Sequence, residues 1–397
     1  MDVEKIRADF PVLERGIAYL DSACMTLRPK QVIEEMCRYY YEFPACPGRS
    51  LHRMGAEASE EMEKSRKKVA GFLGAGKESE IVFTRNTTEA INLVARSLEF
   101  GERNAVVTSD REHNSNLVPW QLAGKRGVEH RIVRSTPQNE FDLDAFREEM
   151  DKSVRLVSVA HASNLDGYVL PAREIIRTAH DFGALVLLDG AQSAPHSELS
   201  VKKMDCDFFT VSAHKMLGPS GMGCLYAKES VLEEMEPFIA GGSTVANSTY
   251  ESAEFLKAPE KFEAGLQDIA GIMGFGKACD YLERAGRKKI GEYGKKLNER
   301  LQRGLEEMQK VEIVGVRDAG KRTGITSFNV KGLDSHDVAV LLDEAKIAVR
   351  SGMHCLHSWF NARKIRGSVR ASFYLYNTRE ETELLLSEVR QIEKQLA

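Results

Sequence analysis

Ala184-Leu185-Val186-Leu187-Leu188 is an unbroken apolar run that stops at Asp189-Gly190-Ala191-Gln192. Such a run suits a parallel strand buried on both faces, where no alternation with water-facing residues is needed. Its surroundings agree. Pro171 opens a helix that ends near Gly183, with proline in the first turn and glycine after the last. Further upstream, Ile81-Val82-Phe83-Thr84, Ala105-Val106-Val107-Thr108 and Val154 to Ala160 read as strands, and Asp142 to Met150 as a helix. Downstream, Asp207 to Val211 is a strand that gives way to Ser212-Ala213-His214-Lys215, and Cys224 to Ala227 resumes as another. Alternation of strands and helices predicts an α/β fold, a mainly parallel sheet with right-handed crossovers.

Ligands in such sheets bind beyond the carboxyl ends of the strands. The polar residues at those ends are Thr88, His113, Asn164, Asp189, Gln192, His214 and Lys215, so they converge on one crevice. Each has a bland reading on its own. A loop lysine is most often a solvated surface residue, and Thr or Asn opening a helix is most often an N-cap. The sharper readings are an amine held to form a Schiff base with a carbonyl cofactor, and an anion site at the helix start in Asn86-Thr87-Thr88-Glu89.

After about residue 280 the pattern changes. Residues 311–316, 325–330, 347–350 and 369–376 read as strands and 335–345 as a helix. The last helix opens at Thr378 with Glu381 three residues on, a capping box, and puts Leu385, Val389, Ile392 and Leu396 on one face. Helices are also expected at 30–41 and 57–73. The expected division is a large domain over 23–285 and a small α+β domain from 1–22 and 286–397. The length of 397 residues exceeds the ~250–300 at which a single core usually divides.

Composition narrows the function. A net charge of −4 without a long basic run disfavours nucleic acid and anionic membranes as partners. The start, Met1-Asp2-Val3-Glu4-Lys5, is charged and lacks a signal-peptide core, and no apolar run reaches the ~18 residues of a spanning helix. Seven cysteines without a Cys-x-x-Cys pair fit free thiols in a reducing cytoplasm.

Tyr19-Leu20-Asp21-Ser22-Ala23, Asn86-Thr87-Thr88-Glu89, Glu112-His113-Asn114-Ser115-Asn116, Asp189-Gly190-Ala191-Gln192, Ser212-Ala213-His214-Lys215, Phe262-Glu263-Ala264-Gly265 and Arg350-Ser351-Gly352-Met353-His354-Cys355 stand in an order with a family likeness. Nearly the whole chain resembles the fold-type I pyridoxal-phosphate enzymes of the class V aminotransferase group. Within that group it is most similar to the group II (SufS/CsdA-type) cysteine desulfurases, also called selenocysteine lyases. The resemblance implies a homodimer that binds pyridoxal 5'-phosphate, takes sulfur from L-cysteine (or selenium from L-selenocysteine) and leaves L-alanine. The sulfur would go to an acceptor or iron–sulfur scaffold protein.

It also implies roles. Lys215 would form the Schiff base, Asp189 would face the pyridine nitrogen, and Gln192 would donate to the phenolic oxygen. His113 would lie over the cofactor ring and act in catalysis. Thr87, Thr88, Ser212 and His214 would form the phosphate cup. Asn164, next to the cofactor, would hold the substrate carboxylate with Arg370 and Arg350, a task suited to guanidinium forks. Cys355 would be the nucleophile that takes up sulfur, with Arg350, His354 and His357 near in sequence to favour its thiolate. No metal is expected: His354-Cys355-Leu356-His357 lacks the second cluster a zinc site needs. Other readings stay open at this point: a selenocysteine lyase, an aminotransferase, a β-lyase, or a scaffold that has lost turnover.

Three departures stand out. Leu266 follows Phe-Glu-Ala-Gly where the family commonly has a threonine that reaches the neighbouring subunit's phosphate. Cys24 replaces a small residue beside the pocket. The loop Phe43-Pro44-Ala45-Cys46-Pro47-Gly48-Arg49 has no assigned role.

Overall fold

A computed structural model describes residues 1–396, so Ala397, the last residue of the expected small domain, lies outside it. The large sheet has seven strands. We label them β1 (Ile81–Thr84), β2 (Ala105–Ser109), β3 (Glu129–Val133), β4 (Val154–Ala160), β5 (Leu185–Asp189), β6 (Phe208–Ser212) and β7 (Gly223–Ala227). Their spatial order is β1-β7-β6-β5-β4-β2-β3. All pairs are parallel except those of β7, which runs antiparallel to both β1 and β6. The central strands are buried on both faces, as the apolar run Ala184–Leu188 requires.

Each face of the sheet carries its own core. On one side Val157, Val186, Phe209 and Val211 pack with the long helices Arg53–Leu73 and Ile269–Ala285. On the other, Val106, Leu156, Leu187 and Phe208 pack with Thr87–Ser97 and the fully buried Trp120. Each such side chain contributes about 1.5–3 kcal/mol by leaving water, so strand register, and with it the strand ends, is firmly set. The helix Arg53–Leu73 stops where Gly74 turns left-handed (φ 65°) and donates its N–H to Ala70 and Gly71.

The second sheet has four antiparallel strands: β8 (Val311–Val314), β9 (Ile325–Val330), β10 (Arg350–Gly352) and β11 (Ser368–Ser372), in the order β8-β9-β11-β10. A separate cluster gathers Leu297, Leu301, Phe328, Val338, Val369 and Leu385 with Ala18 and Leu20 from near the N-terminus. Among the described residues no helix is long and apolar enough to cross a membrane. All seven cysteines are free thiols.

The structure moves several boundaries. The helix expected at 57–73 begins four residues earlier, at Arg53, because His52 Nδ1 caps it by accepting the Gly55 N–H at 3.2 Å. The strand expected at 347–350 is two: Ile347–Ala348 pairs in parallel with Ala18–Tyr19, and β10 pairs with β11. The strand expected at 369–376 ends at Ser372. There the Asn377 side chain accepts the Tyr374 N–H at 2.7 Å and folds the chain into a turn.

Candidate active site

The strand ends supply one wall of a cavity of about 230 Å3. All twelve expected site residues line it: Thr87, Thr88, His113, Asn164, Asp189, Gln192, Ser212, His214, Lys215, Arg350, Cys355 and Arg370. Asn86, Ser115, His354 and Cys24 line it too.

Two glycines let this wall close. A Cβ on Gly190 would lie 2.2 Å from the Phe209 ring, so Asp189 can turn out of β5 only over a residue without a side chain. A Cβ on Gly223 would meet the Val211 carbonyl at 2.4 Å and the Asn86 backbone at 2.9 Å. Glycine there brings β7 against the loop that opens the helix Thr87–Ser97. Asn86 caps that helix by accepting the Glu89 N–H at 3.0 Å. The Thr87 N–H donates to Ser212 Oγ at 2.9 Å, and that hydroxyl lies 3.1 Å from Thr87 Oγ1. Thr88 and Ser115 hydroxyls meet at 2.7 Å. Hydroxyls round a helix N-terminus form a site for a phosphate dianion.

Lys215 and Asp189 both line the cavity. Burial pushes the Lys215 amine down, opposed by the attraction of Asp189, so the neutral nucleophile is favoured over its ordinary state. Burial pushes Asp189 up, while Lys215 and the Ala191 N–H, 2.9 Å from Oδ1, oppose it. Gln192 Nε2 donates to the Ala23 carbonyl at 2.7 Å, and its Oε1 is buried without a partner. His113 Nδ1 accepts the Ser115 N–H at 3.0 Å. Burial, then Lys215 and Arg370, push this imidazole down to about 3, so it is neutral with the proton on Nε2. His214 is likewise pushed down to about 4 by burial. Beneath them Glu112 is pushed up to about 8 by burial; its Oε2 accepts from Asn116 and from the Ala160 N–H.

The opposite wall comes from the small sheet. Arg370, on β11, is 2% exposed. It donates to the Asn164 carbonyl at 2.9 Å and reaches Asp21 at 3.4 Å, leaving Nε free of any partner. Asn164 Nδ2 donates to the His354 carbonyl at 2.7 Å. Cys355 follows β10 in a left-handed turn (His354 φ 49°, Cys355 φ 61°), and its carbonyl accepts the Asn114 N–H at 2.8 Å.

The neighbours expected to activate Cys355 are engaged elsewhere. Arg350 donates to Cys24 Sγ at 2.9 Å. His357 Nδ1 lies 2.9 Å from the Asn114 amide. His354, pushed down to about 2 by burial and the nearby arginines, is neutral and bonded to Ser368. A neutral ring offers the thiol no charge.

The departures also find a place. Leu266 is 66% exposed. The Gln267 amide turns back onto the Glu263 and Gly265 carbonyls. In the loop 43–49, Phe43 is buried under the Arg38 guanidinium, and Arg49 donates to Ser243. Sequence reasoning missed Glu263 as a brace: it accepts two bonds from Arg66 (2.7 and 2.9 Å) and one from the Phe83 N–H. The signal was a carboxylate inside an otherwise apolar and small-residue motif.

Residues 18–385 match the family described as aminotransferase class-V. A probable cysteine desulfurase of Synechocystis is 42% identical over 96% of this chain and 93% of its own length. The cysteine desulfurase of Haloferax volcanii is 38% identical over 98% of this chain and 96% of its own. Among solved structures, the apo cysteine desulfurase of Thermococcus onnurineus aligns with a TM-score of 0.94 at 38% identity, covering 99% of this chain and 98% of that one. The cysteine desulfurase CsdA of Escherichia coli aligns with a TM-score of 0.92 at 30% identity, covering 100% and 99%. The sequence order of the motifs, the sheet and the cavity therefore agree with the comparisons: this chain belongs to the class-V aminotransferase family, among its cysteine desulfurases.

Proposed function

We propose that this protein is a group II, pyridoxal 5'-phosphate-dependent desulfurase that converts L-cysteine (or L-selenocysteine) to L-alanine and carries the released sulfur on Cys355. The observation that carries this reading is the shared cavity: Lys215 and Asp189 on one wall face Cys355 and Arg370 on the other. The donor set fits the cofactor. The cup of Thr87, Thr88, Ser212 and His214 suits its phosphate, Asp189 its ring nitrogen, and Gln192 Nε2, with a second N–H to give, its phenolic oxygen. When bound, it supplies an electron sink that labilises the bonds at the amino-acid α-carbon.

The chain's own residues do the rest. Arg370, with an unpartnered Nε and held by the Asn164 carbonyl, binds the substrate carboxylate together with Asn164 and Arg350. Lys215 Nζ, which lines the cavity, would move protons to and from the substrate carbon. Neutral His113 lines the site and offers Nε2–H. The Cys355 thiolate attacks the substrate sulfur; the carbon–sulfur bond breaks, its electron pair stays on carbon, and a proton completes alanine.

The division into 23–285 as the large domain and 1–22 with 286–397 as the small one is supported by Ala18 and Leu20, which share the small sheet's core, while Phe10 and Leu13 pack in the large sheet's core. Homodimerisation is supported by apolar side chains on one surface. Leu266, Tyr250 and Leu256 are exposed there. Their segments are joined by the bonds Gly265 N–H to Gly242 and Leu256 N–H to Thr244. An external acceptor would take the sulfur onward for cluster assembly or thiolation.

The test is alanine and sulfide release from L-cysteine by the holoenzyme. Loss of both in Cys355→Ala is expected. An unchanged rate, or amino transfer to a keto acid without alanine from cysteine, would remove the proposal.

A further inference from the structure

The cavity holds a second thiol with no part in the reaction above. Cys24 is held in the cavity lining beside the small sheet. Its N–H donates to the Asp21 carbonyl at 3.1 Å, and the Ala23 N–H before it donates to Ser372 Oγ at 2.9 Å. Arg350 Nη1 donates to Cys24 Sγ at 2.9 Å, while the same guanidinium lies 3.9 Å from Asp21. Arg370, buried and with Nε unpartnered, lines the same space. Cys24 and Cys355 both line this cavity together with Lys215. Two thiols and two guanidiniums, one of them with an unpartnered Nε, thus share one cavity of about 230 Å3.

Resting on the desulfurase reading, we propose that Cys24 is a second sulfur carrier that receives the outer sulfur of the Cys355 persulfide. The Cys24 thiolate attacks that outer sulfur. A sulfur–sulfur bond to Cys24 forms, the one to Cys355 breaks, and Cys355 leaves as the thiolate. The proton that Cys24 gives up ends on Cys355 or on solvent. No oxidant is consumed, because the transferred sulfur keeps its oxidation state. Arg350 lies where it stabilises negative charge shared between sulfurs during the exchange. Cys355 is then free for another turnover, so a protomer stores sulfur on both residues before any acceptor arrives.

The experiment treats holoenzyme with L-cysteine in the absence of acceptor and reductant, then alkylates and maps added sulfur by peptide mass spectrometry, with total sulfane sulfur measured by cyanolysis. Wild type is expected to carry sulfur on the peptides of both Cys24 and Cys355. Cys24→Ser is expected to hold roughly half the wild-type sulfane sulfur, all of it on Cys355. Cys355→Ser is expected to carry none on Cys24. Sulfur on Cys355 alone in wild type, with alanine released, overturns the relay and leaves the desulfurase reading standing. Sulfur on Cys24 in Cys355→Ser also overturns the relay, because Cys24 then acts directly. No added sulfur and no alanine in wild type removes both.

Discussion

The two walls of the cavity are built by opposite means. The wall of Asp189, Ser212, Lys215 and Thr87 comes from strand ends of a sheet packed on both faces, with Thr87 bonded to Ser212 and Asp189 to the Ala191 N–H. The wall of Arg350 to Cys355 leaves a four-stranded sheet through left-handed backbone at two non-glycine residues. Each such residue costs about 1–3 kcal/mol and persists only where neighbours hold it. Here the bonds from Asn164 and Asn114, both from the large-domain side, do so. On the proposed function, the difference teaches a division of labour: the first wall would position the cofactor by rigidity, and the second would present a thiol across a gap.

Removing the key residue of the first wall gives the largest effect. Lys215→Ala is expected to lower alanine formation by at least ~10³-fold and to abolish the visible absorbance of bound cofactor. Retained absorbance with retained turnover would break the assignment of that wall. Next comes the brace beneath it. Arg66→Ala leaves Glu263 buried and unpaired, with an expected loss of about 3–5 kcal/mol, read as the denaturation midpoint. Gly190→Ala forces a methyl into the Phe209 ring and is expected to cost about 1–3 kcal/mol, read in the same way.

A pH effect follows from two buried histidines outside the cavity. His161 and His196 are each pushed down to about 4 by burial. Between the ordinary histidine value of about 6.5 and 4, the unfolded chain binds protons that the folded chain does not. The stability from keeping these rings neutral is therefore complete above about pH 6.5 and lost as pH falls through 4. The melting temperature is expected to fall over that window, and less steeply in His196→Gln. The smallest effect is on the last helix. Thr378→Ala removes the hydroxyl that accepts the Glu381 N–H at 3.2 Å, for about 1 kcal/mol.

The same contrast governs what was legible in the sequence. The run Ala184–Leu188 and the polar residues closing each strand announced the first wall, because a fully buried parallel strand and its end are local patterns. The capping box at Thr378 was equally local. β3 escaped notice, since Glu129-His130-Arg131 at a sheet edge is polar, nowhere fully buried, and shows no apolar run. The break of 347–350 into two strands depends on pairing with Ala18–Tyr19, more than three hundred residues away in the chain. The second wall was legible only as family likeness. That Arg350 turns to Cys24 and that His354 stays neutral are consequences of packing, which spacing along the chain does not encode.

The division between the walls is tested most directly by giving L-cysteine to Cys355→Ala holoenzyme and following the cofactor spectrum and alanine together. The expected result is a spectrum that changes on adding cysteine, as the first wall still binds it, with alanine formation reduced by about 10²-fold or more. Alanine at the wild-type rate, or a spectrum blind to cysteine, would contradict it.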